Sequence, residues 1–512
     1  MEFRLIQKTI FLFKVSSLKS ILSLYYAKYI VKKNSSWKNN ALIYQKKIML
    51  GLVKKAKNTD FGIDHFFKKI NNYSEFKKRI PIREYEEFKK YTDNLILGKK
   101  DVLWPGKPIY FCTTSGTTSG VKHIPISKES IGCHLKPARD AILSYINETK
   151  HAKITDGKMI FLQGSPVLSK TGGILTGRLS GIAAHHTPYY LKTNILPSYS
   201  VNCIGNWEDK IDAVVKETIH QNMSLISGIP PWVQMYFEKL QQKSKKNISE
   251  LFPNFQLFIY GGVNFDPYKK TFERLIDGNI DSVEVYPASE GFIAYQDSQK
   301  EEGLLLCVNN GIFFEFIKTD DYFDPNPKRI DLSDVVLGVD YVIILNTNAG
   351  LWGYNIGDTI KFVSLNPYRI VVSGRLKHFT SAFGEHVIAQ EVEQSLINVI
   401  QKHPAEVKEF HVAPQVNPTK GLPFHQWFIE FIKEPEDLVI FAQELDLQLQ
   451  SKNSYYKDLI SGSVLKKLEI IRVKNNGFNN YMNSLGKLGG QNKTPRLSNN
   501  RKVADQLMLL KN

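Results

Sequence analysis

The residues best suited to chemistry sit in Phe111–Pro125, FCTTSGTTSGVKHIP. Thr113, Thr114, Ser115, Thr117, Thr118 and Ser119 crowd around Gly116 and Gly120, and the run ends in Lys122 and His123. Small residues let the backbone curl around a bulky anion. Their hydroxyl and N–H groups donate to it, and a cation at the far end meets its charge. This is the composition of a phosphate-holding loop, although the GxxxxGK[ST] spacing is absent. A flexible Ser/Thr/Gly linker has the same composition, and the loop alone does not separate the two readings.

Four later elements have the same character. Tyr286-Pro-Ala-Ser289-Glu290 ends an expected strand. There an aromatic ring can lie against a purine and a carboxylate can hold the Mg2+ that accompanies ATP. Trp352-Gly-Tyr-Asn-Ile-Gly-Asp358 reads as a tight turn presenting one carboxylate, which suits the paired hydroxyls of a ribose. Ser373-Gly-Arg375-Leu-Lys377, followed by Gly384 and Glu391, is the third. Gly489-Gly-Gln-Asn-Lys493-Thr-Pro-Arg496 is the fourth, a flexible loop carrying cations. Each has a plain alternative: a strand-end turn, an Asx turn, or a basic surface loop.

These residues need elements to hold them. At 512 residues, 42% hydrophobic and 12% aromatic, the chain has length for roughly two to four domains. No run approaches the roughly 18 uninterrupted apolar residues of a membrane span. Cys112, Cys133, Cys203 and Cys307 are far apart and form no CxxC, so neither a disulfide framework nor a zinc site is expected, and a reducing, cytoplasmic setting is. There is no HExxH, and adjacent His185 and His186 suit no metal-binding face.

The formal charge of +17 is uneven. Residues 1–59 hold thirteen basic residues against Glu2 alone, and so carry +12 of it. Apolar residues recur there at helical spacing (Ile10, Phe13, Leu18, Ile21, Leu22, Tyr25). A basic amphipathic surface for anionic lipid or nucleic acid is one reading. The favoured expectation is a pair of helices packed on the main domain with a solvated lysine face, without nucleic acid and with peripheral membrane contact only as the lesser alternative. Lys8, Lys14 and Lys19 interrupt the apolar runs, which argues against a secretory signal.

In chain order, Ser74–Lys100 reads as a connector around Pro81, and Lys107–Cys112 as a strand. Ser127–Glu148 reads as a helix, Lys158–Gln163 as a strand, and Gly164–Gly181 as a pocket-lining Gly/Ser stretch. Asn206–Met223 is a helix by its apolar face of Ile211, Val214, Val215 and Ile219. Leu225–Ile229, Leu257–Tyr260 and Ser282–Tyr286 are strands, with a helix started by Pro230 and Pro231 between the first two. Strands alternating with helices predict an α/β core with a largely parallel sheet. From Gly303 short strands with turns predict an antiparallel, barrel-like subdomain: 304–308, 312–317, 341–346, 360–363 and 369–372. A boundary is expected near Gly374, followed by a small α+β domain with a helix at Val387–Ile400, a strand at Trp427–Ile432 and a final helix at Arg501–Leu510.

Taken in order, these elements resemble the adenylate-forming superfamily. TSGTTSGVK at Thr114–Lys122 is close to its phosphate-loop signature, and Gly374, Arg375, Gly384 and Glu391 fit its GRxDxxIKxxGxxIxxxE pattern. More narrowly, the chain resembles the auxin-responsive acyl acid amido synthetase family, in a form expected outside plants. YPASEG is similar to that family's YxxSE element, GLWGYNIGD (Gly350–Asp358) to GLYRYRVGD, and GGQNKTPR to QYKxPR. GIFFEFI (Gly311–Ile317) and PFHQWFIEF (Pro423–Phe431) also fit. The resemblance runs from about Lys107 to the C-terminus.

The resemblance implies an α/β fold: a large N-terminal domain (1–374) with a mainly parallel sheet plus a β-barrel-like subdomain, and a small mobile C-terminal α+β domain (375–512). It implies a ligase that uses ATP and Mg2+ to activate a carboxylic acid as an acyl-adenylate, releasing pyrophosphate. An amino acid or other amine then takes the acyl group and AMP leaves. Carried over by position, Thr114, Ser115, Thr117, Thr118 and Lys122 hold the phosphates. Tyr286 and Ser289 lie by the adenine and α-phosphate, and Glu290 by the metal. Asp358 and Arg375 take the ribose, Lys377 is the hinge, and Lys493 approaches the reacting phosphate with Lys122 as the second catalytic cation. His123 competes for the role of Lys122, and Lys487 for that of Lys493. Gly353 and Asn355 replace arginines of the GLYRYRVGD element. Thioester formation with coenzyme A shares the first half-reaction and stays as an alternative. A non-catalytic protein docking through residues 1–59 is the alternative from another class.

Overall fold

The computed structural model describes residues 18–114, 122–205, 207–262, 265–324, 326–376, 379–380, 387–416, 418–461, 465–487, 494–498 and 500–511. Ser115, Thr117, Thr118, Lys377, Gly384 and Lys493 lie outside them.

Strands β1 (Tyr110–Thr114) and β2 (Lys122–Ile126) form an antiparallel hairpin whose connection is the hydroxyl-rich stretch. With β4 (Ser169–Thr171) and β5 (Ile174–Gly177) they make a four-stranded sheet in the order β2-β1-β5-β4. The Gly/Ser-rich stretch thus contains a hairpin of its own.

The large sheet begins with β3 (Lys158–Phe161), β6 (Ile195–Leu196), β7 (Met223–Ser227), β8 (Leu257–Gly261) and β9 (Asp281–Ala288), all parallel. Helices Trp207–Thr218 and Pro230–Ser244 pack beside it through Val214, Val215, Val233 and Phe237. At β9 the pairing changes. A two-residue turn, Ser289-Glu290, leads into antiparallel β10 (Gly291–Tyr295). The sheet continues through β11 (Leu304–Leu306), β12 (Ile312–Lys318), β13 (Arg329–Ile330), β14 (Asp340–Thr347), β15 (Tyr354–Leu365) and β16 (Tyr368–Arg375). The expected parallel and antiparallel regions are therefore fused in one twelve-stranded sheet. Its main core runs from Val283 and Tyr286 through Phe314 and Phe316 to Phe362 and Ile370.

Beyond β16, β17 (Phe379–Thr380) pairs with β18 (Val387–Ile388). A three-stranded sheet of β19 (Glu406–Gln415), β20 (Phe424–Lys433) and β21 (Glu469–Arg472) then packs on helices Ala389–Lys402 and Leu438–Lys452. Its core of Leu396, Phe410, Trp427, Phe441 and Leu445 is separate from that of the large sheet.

Two expectations are corrected. Ser74–Lys100 is not a connector: it holds helices Tyr73–Arg79 and Tyr85–Ile96. Asn72 caps the first, accepting from the Glu75 N–H at 2.9 Å, and a reciprocal Glu84/Glu87 capping box starts the second. The N-terminal helix Leu18–Lys38 does pack on the main body, against helix Ser130–Thr149, burying Ala27, Ile30, Asn34 and Trp37. Asn34 reaches Asp140 at 3.0 Å and Trp37 donates to Asn34 at 3.0 Å. Its outward face is not a plain lysine face, however. Leu18, Leu22, Tyr25 and Tyr29 stand exposed on it. No helix among the described residues is long and apolar enough to cross a membrane.

Candidate active site

A cleft of about 1550 Å3 lies between the carboxyl ends of the parallel strands and the C-terminal segment. The crevice outside the carboxyl ends of the strands of an open sheet is the natural place for a ligand. The Ser289-Glu290 turn follows the carboxyl end of β9, the last parallel strand, and joins it to the first antiparallel one.

Tyr286, Ser289, Glu290 and Asp358 all line this cleft, as does Lys122. The Tyr286 hydroxyl donates to Asp358 Oδ2 although the two are 72 residues apart. The Cys112 thiol donates to Ser289 Oγ at 3.1 Å, tying the turn to the strand that feeds the hydroxyl-rich loop. Burial, together with the charge and hydrogen bond of Glu290, pushes the Tyr354 hydroxyl well above its ordinary pKa. Strand register sets Arg375 opposite Asp358 and Thr114 opposite Lys122, which puts both expected pairs on neighbouring strands.

Lys122 and His123 are successive strand residues and point to opposite faces. Lys122 faces the cleft, its ammonium 5.6 Å from the centre of the Tyr85 ring. His123 packs edge-on against Phe111 at 5.6 Å, and burial lowers its pKa. Lys487 and Thr494 both line the cleft.

The Asp358 stretch rests on buried polar groups. Asp358 does not sit in the expected turn between strands: it lies within β15, at an irregularity where Asn355 and Thr359 pair with Ile344 and Val342, and Asn355 Oδ1 accepts from the Gly357 N–H at 2.7 Å inside that bulge. Gly353 has φ +57°, and a Cβ there would lie 2.3 Å from the Pro81 carbonyl oxygen. The Arg83 N–H donates to the Gly353 carbonyl at 2.8 Å, and the Asn355 N–H to that of Arg83 at 2.8 Å. An arginine at 353 is excluded because the 81–83 backbone occupies its space. Below, Arg329 makes a two-pronged pair with fully buried Glu315, at 2.5 and 2.6 Å. Asn346 donates to Glu315 at 2.8 Å and accepts from the Gly353 N–H at 2.7 Å. The acidic residue of GIFFEFI thus supports this stretch from beneath.

Sequence reasoning missed Tyr85, and it placed Tyr354 and Arg496 within their motifs without giving either a role. Tyr85 accepts from the His123 N–H at 2.8 Å and forms the platform under Lys122. Arg496 contacts Glu393 at 3.0 Å and Glu409 at 3.4 Å, and donates to the Tyr268 hydroxyl at 2.8 Å. Burial opposes its charge, but Tyr268 and the two carboxylates outweigh that and hold it protonated. Tyr268 belongs to the large-sheet half and the carboxylates to the C-terminal half, so this one guanidinium spans the cleft. Away from the polar groups, Leu162, Ile229, Trp232 and Met235 give the cleft an apolar end.

Three family models match the chain: the GH3 family N-terminal domain over residues 31–203, the central domain over 305–375 and the C-terminal domain over 388–502. Together they cover more than half of it. The chain belongs to the GH3 family. This is the acyl acid amido synthetase family the motifs resemble, and the match begins upstream of the expected Lys107, taking in most of the basic helices.

A jasmonoyl–L-amino acid synthetase of Nicotiana attenuata is 24% identical over 353 residues, 56% of this chain; the chain spans 60% of that relative's length. An indole-3-acetic acid-amido synthetase of Arabidopsis thaliana is 19% identical over 545 residues, 89% of each chain. Among solved structures, a GH3.15 acyl acid amido synthetase superposes with TM-score 0.78 at 16% identity, covering 94% of this chain and 96% of that one. A 2-hydroxyisobutyryl-CoA ligase reaches 0.56 at 12% identity, over 91% and 92%. These likenesses show the adenylate-forming fold for this GH3 chain.

Proposed function

We propose that this GH3-family chain is an ATP-dependent acyl acid amido synthetase. The observation that carries the reading is the meeting of Tyr286, Ser289, Glu290, Asp358 and Lys122 on one cleft beside an apolar end.

A carboxylate is a poor acyl donor because its leaving group would be oxide. In the first step a carboxylate oxygen of the acid attacks the α-phosphorus of ATP, and the bond to pyrophosphate breaks. The mixed anhydride so formed carries AMP as a good leaving group. In the second step an amine nitrogen attacks the acyl carbon, AMP departs, and the amine proton passes to solvent. The chain holds both partners in line and neutralises phosphate charge. Asp358, with Arg375 opposite, takes the ribose. Tyr286 flanks the adenine, and Ser289 lies by the α-phosphate. Lys122 and the hydroxyls of Thr114, Ser115, Thr117 and Thr118 hold the phosphates. Lys493 is carried to the reacting phosphate by the small domain, 375–512, turning about Lys377. Leu162, Ile229, Trp232 and Met235 enclose the acyl chain. No side-chain nucleophile is needed.

Mg2+ commonly binds through one or two carboxylates plus substrate phosphates, and a single cleft carboxylate at Glu290 fits that donor set. When bound, the ion shields phosphate charge. The four unpaired cysteines fit a reducing cytoplasm.

The test is ATP–pyrophosphate exchange across a panel of carboxylic acids, followed by product analysis with amino acids and coenzyme A in competition. Acid-dependent exchange and an amide product are expected. Folded protein silent over a broad panel refutes the reading, and a thioester product replaces it with acyl-CoA ligation.

A further inference from the structure

We propose that the outward face of helix Leu18–Lys38 is a docking surface for an anionic lipid bilayer. Leu18 is 73% exposed, Leu22 58%, Tyr25 73% and Tyr29 60%. Their spacing of four, three and four residues sets them on one stripe, opposite the buried Ala27, Ile30 and Asn34. The helix therefore has two apolar faces, and among the described residues the fold buries only one. Exposed Lys28, Lys32 and Lys33 border the stripe. The next helix, Ala41–Ala56, also exposes Leu42 and Ile43 together with Lys46 and Lys47. No acidic residue occurs from Phe3 to Thr59.

The charge chooses among occupants. A second copy of this chain would set one strongly cationic face against another. A nucleic acid would answer the lysines but leave the leucines unused. An anionic bilayer satisfies both: leucines enter the boundary between headgroups and acyl chains, tyrosine rings sit at headgroup level with their hydroxyls in water, and lysines meet the phosphates. The helix is already folded against helix Ser130–Thr149, so docking carries no cost of ordering it. The surface does not depend on the proposed reaction.

The experiment is flotation of the full chain with vesicles of phosphatidylcholine alone or containing phosphatidylglycerol. Two variants are compared, Leu22→Ser/Tyr25→Ser/Tyr29→Ser and Lys28→Ser/Lys32→Ser/Lys33→Ser. The wild type is expected to float with the anionic vesicles, to remain behind with the neutral ones, and to be released by high salt. Each variant should lose roughly tenfold or more in vesicle affinity, with melting temperature unchanged. A wild type that does not float overturns the proposal, as do variants that bind like it. An oligonucleotide that binds in place of vesicles does so too. Loss of a dimer in the serine variants would assign the face to a second copy. A drop in their melting temperature without vesicle binding would assign it to packing by residues 1–17. Either result overturns the bilayer reading.

Discussion

Replacing Tyr268 by Phe should separate the two half-reactions. The substitution keeps the ring, which packs in the large-sheet core with Phe265 and Phe272, and deletes only the hydroxyl that accepts from Arg496 at 2.8 Å. A hydrogen bond to a charged group contributes about 1.5–3 kcal/mol. On the proposed domain movement this bond is made only while the C-terminal half lies against the cleft, and its loss should then shift the balance away from that arrangement by roughly 10- to 150-fold. Pyrophosphate exchange, for which the proposed mechanism requires Lys493 at the reacting phosphate, should fall by a similar factor if the closed arrangement becomes the minor state. Transfer from supplied acyl-adenylate to an amine should fall much less. Arg496→Met is the harsher version, removing the guanidinium that both Glu393 and Glu409 contact, a change that costs about 3–5 kcal/mol in buried pairs. The assays are exchange kinetics and single-turnover transfer from pre-formed adenylate, with a melting curve as control. If Tyr268→Phe lowers both half-reactions equally, or neither, Arg496 does not hold the closed arrangement and the reasoning fails.

Further outcomes are expected at the cleft. Asp358→Ala removes the acceptor of the Tyr286 hydroxyl and should raise KM for ATP by roughly 10- to 100-fold, read from exchange kinetics, with folding intact. Lys122→Ala should cut exchange by roughly a hundredfold while His123→Ala changes it by only a few-fold and instead lowers thermal stability, because one faces the cleft and the other Phe111. Gly353→Arg, which restores the usual family residue, should destabilise the fold by about 3 kcal/mol or more in urea denaturation, since its Cβ meets the Pro81 carbonyl. Burial, with Asp266 adding to it, raises the Glu284 carboxyl from 4.5 to about 7. Between those pH values the folded chain keeps a proton the unfolded chain has lost, so the stability linked to this group is whole below pH 4.5 and declines as pH climbs through 7. Glu284→Gln should flatten that slope and gain about 2 kcal/mol at pH 8, allowing for partial exposure to the cleft; an unchanged slope in the variant would show that Glu284 is not its source.

What was legible in the sequence were features set by near neighbours. Pro230 and Pro231 open a helix, and Tyr286 lies near the carboxyl end of a strand, two residues before β9 stops at Ala288. The order of the motifs was enough to identify the family. What stayed hidden depended on distant partners or on two signals cancelling. Gly353 is explained only by Pro81, and Arg496 only by Tyr268, contacts across more than two hundred residues. Helices Tyr73–Arg79 and Tyr85–Ile96 were masked by mixed polar and apolar residues around Pro81, although the Glu84/Glu87 cap was in plain view. The helix Leu18–Lys38 shows why a basic amphipathic pattern misleads. With apolar side chains on opposite sides, the simple division into one greasy and one wet side never appears.

The short bridge between Arg83 and Tyr354 has a practical corollary. It fastens the start of helix Tyr85–Ile96 to the strand that bears Asp358, and so fixes the ring beneath Lys122. A fragment trimmed to begin at the first strand would therefore arrive with part of the cleft wall missing. Chimaeras that exchange the leading hundred residues between relatives would swap part of that wall, Glu84 and Tyr85 included.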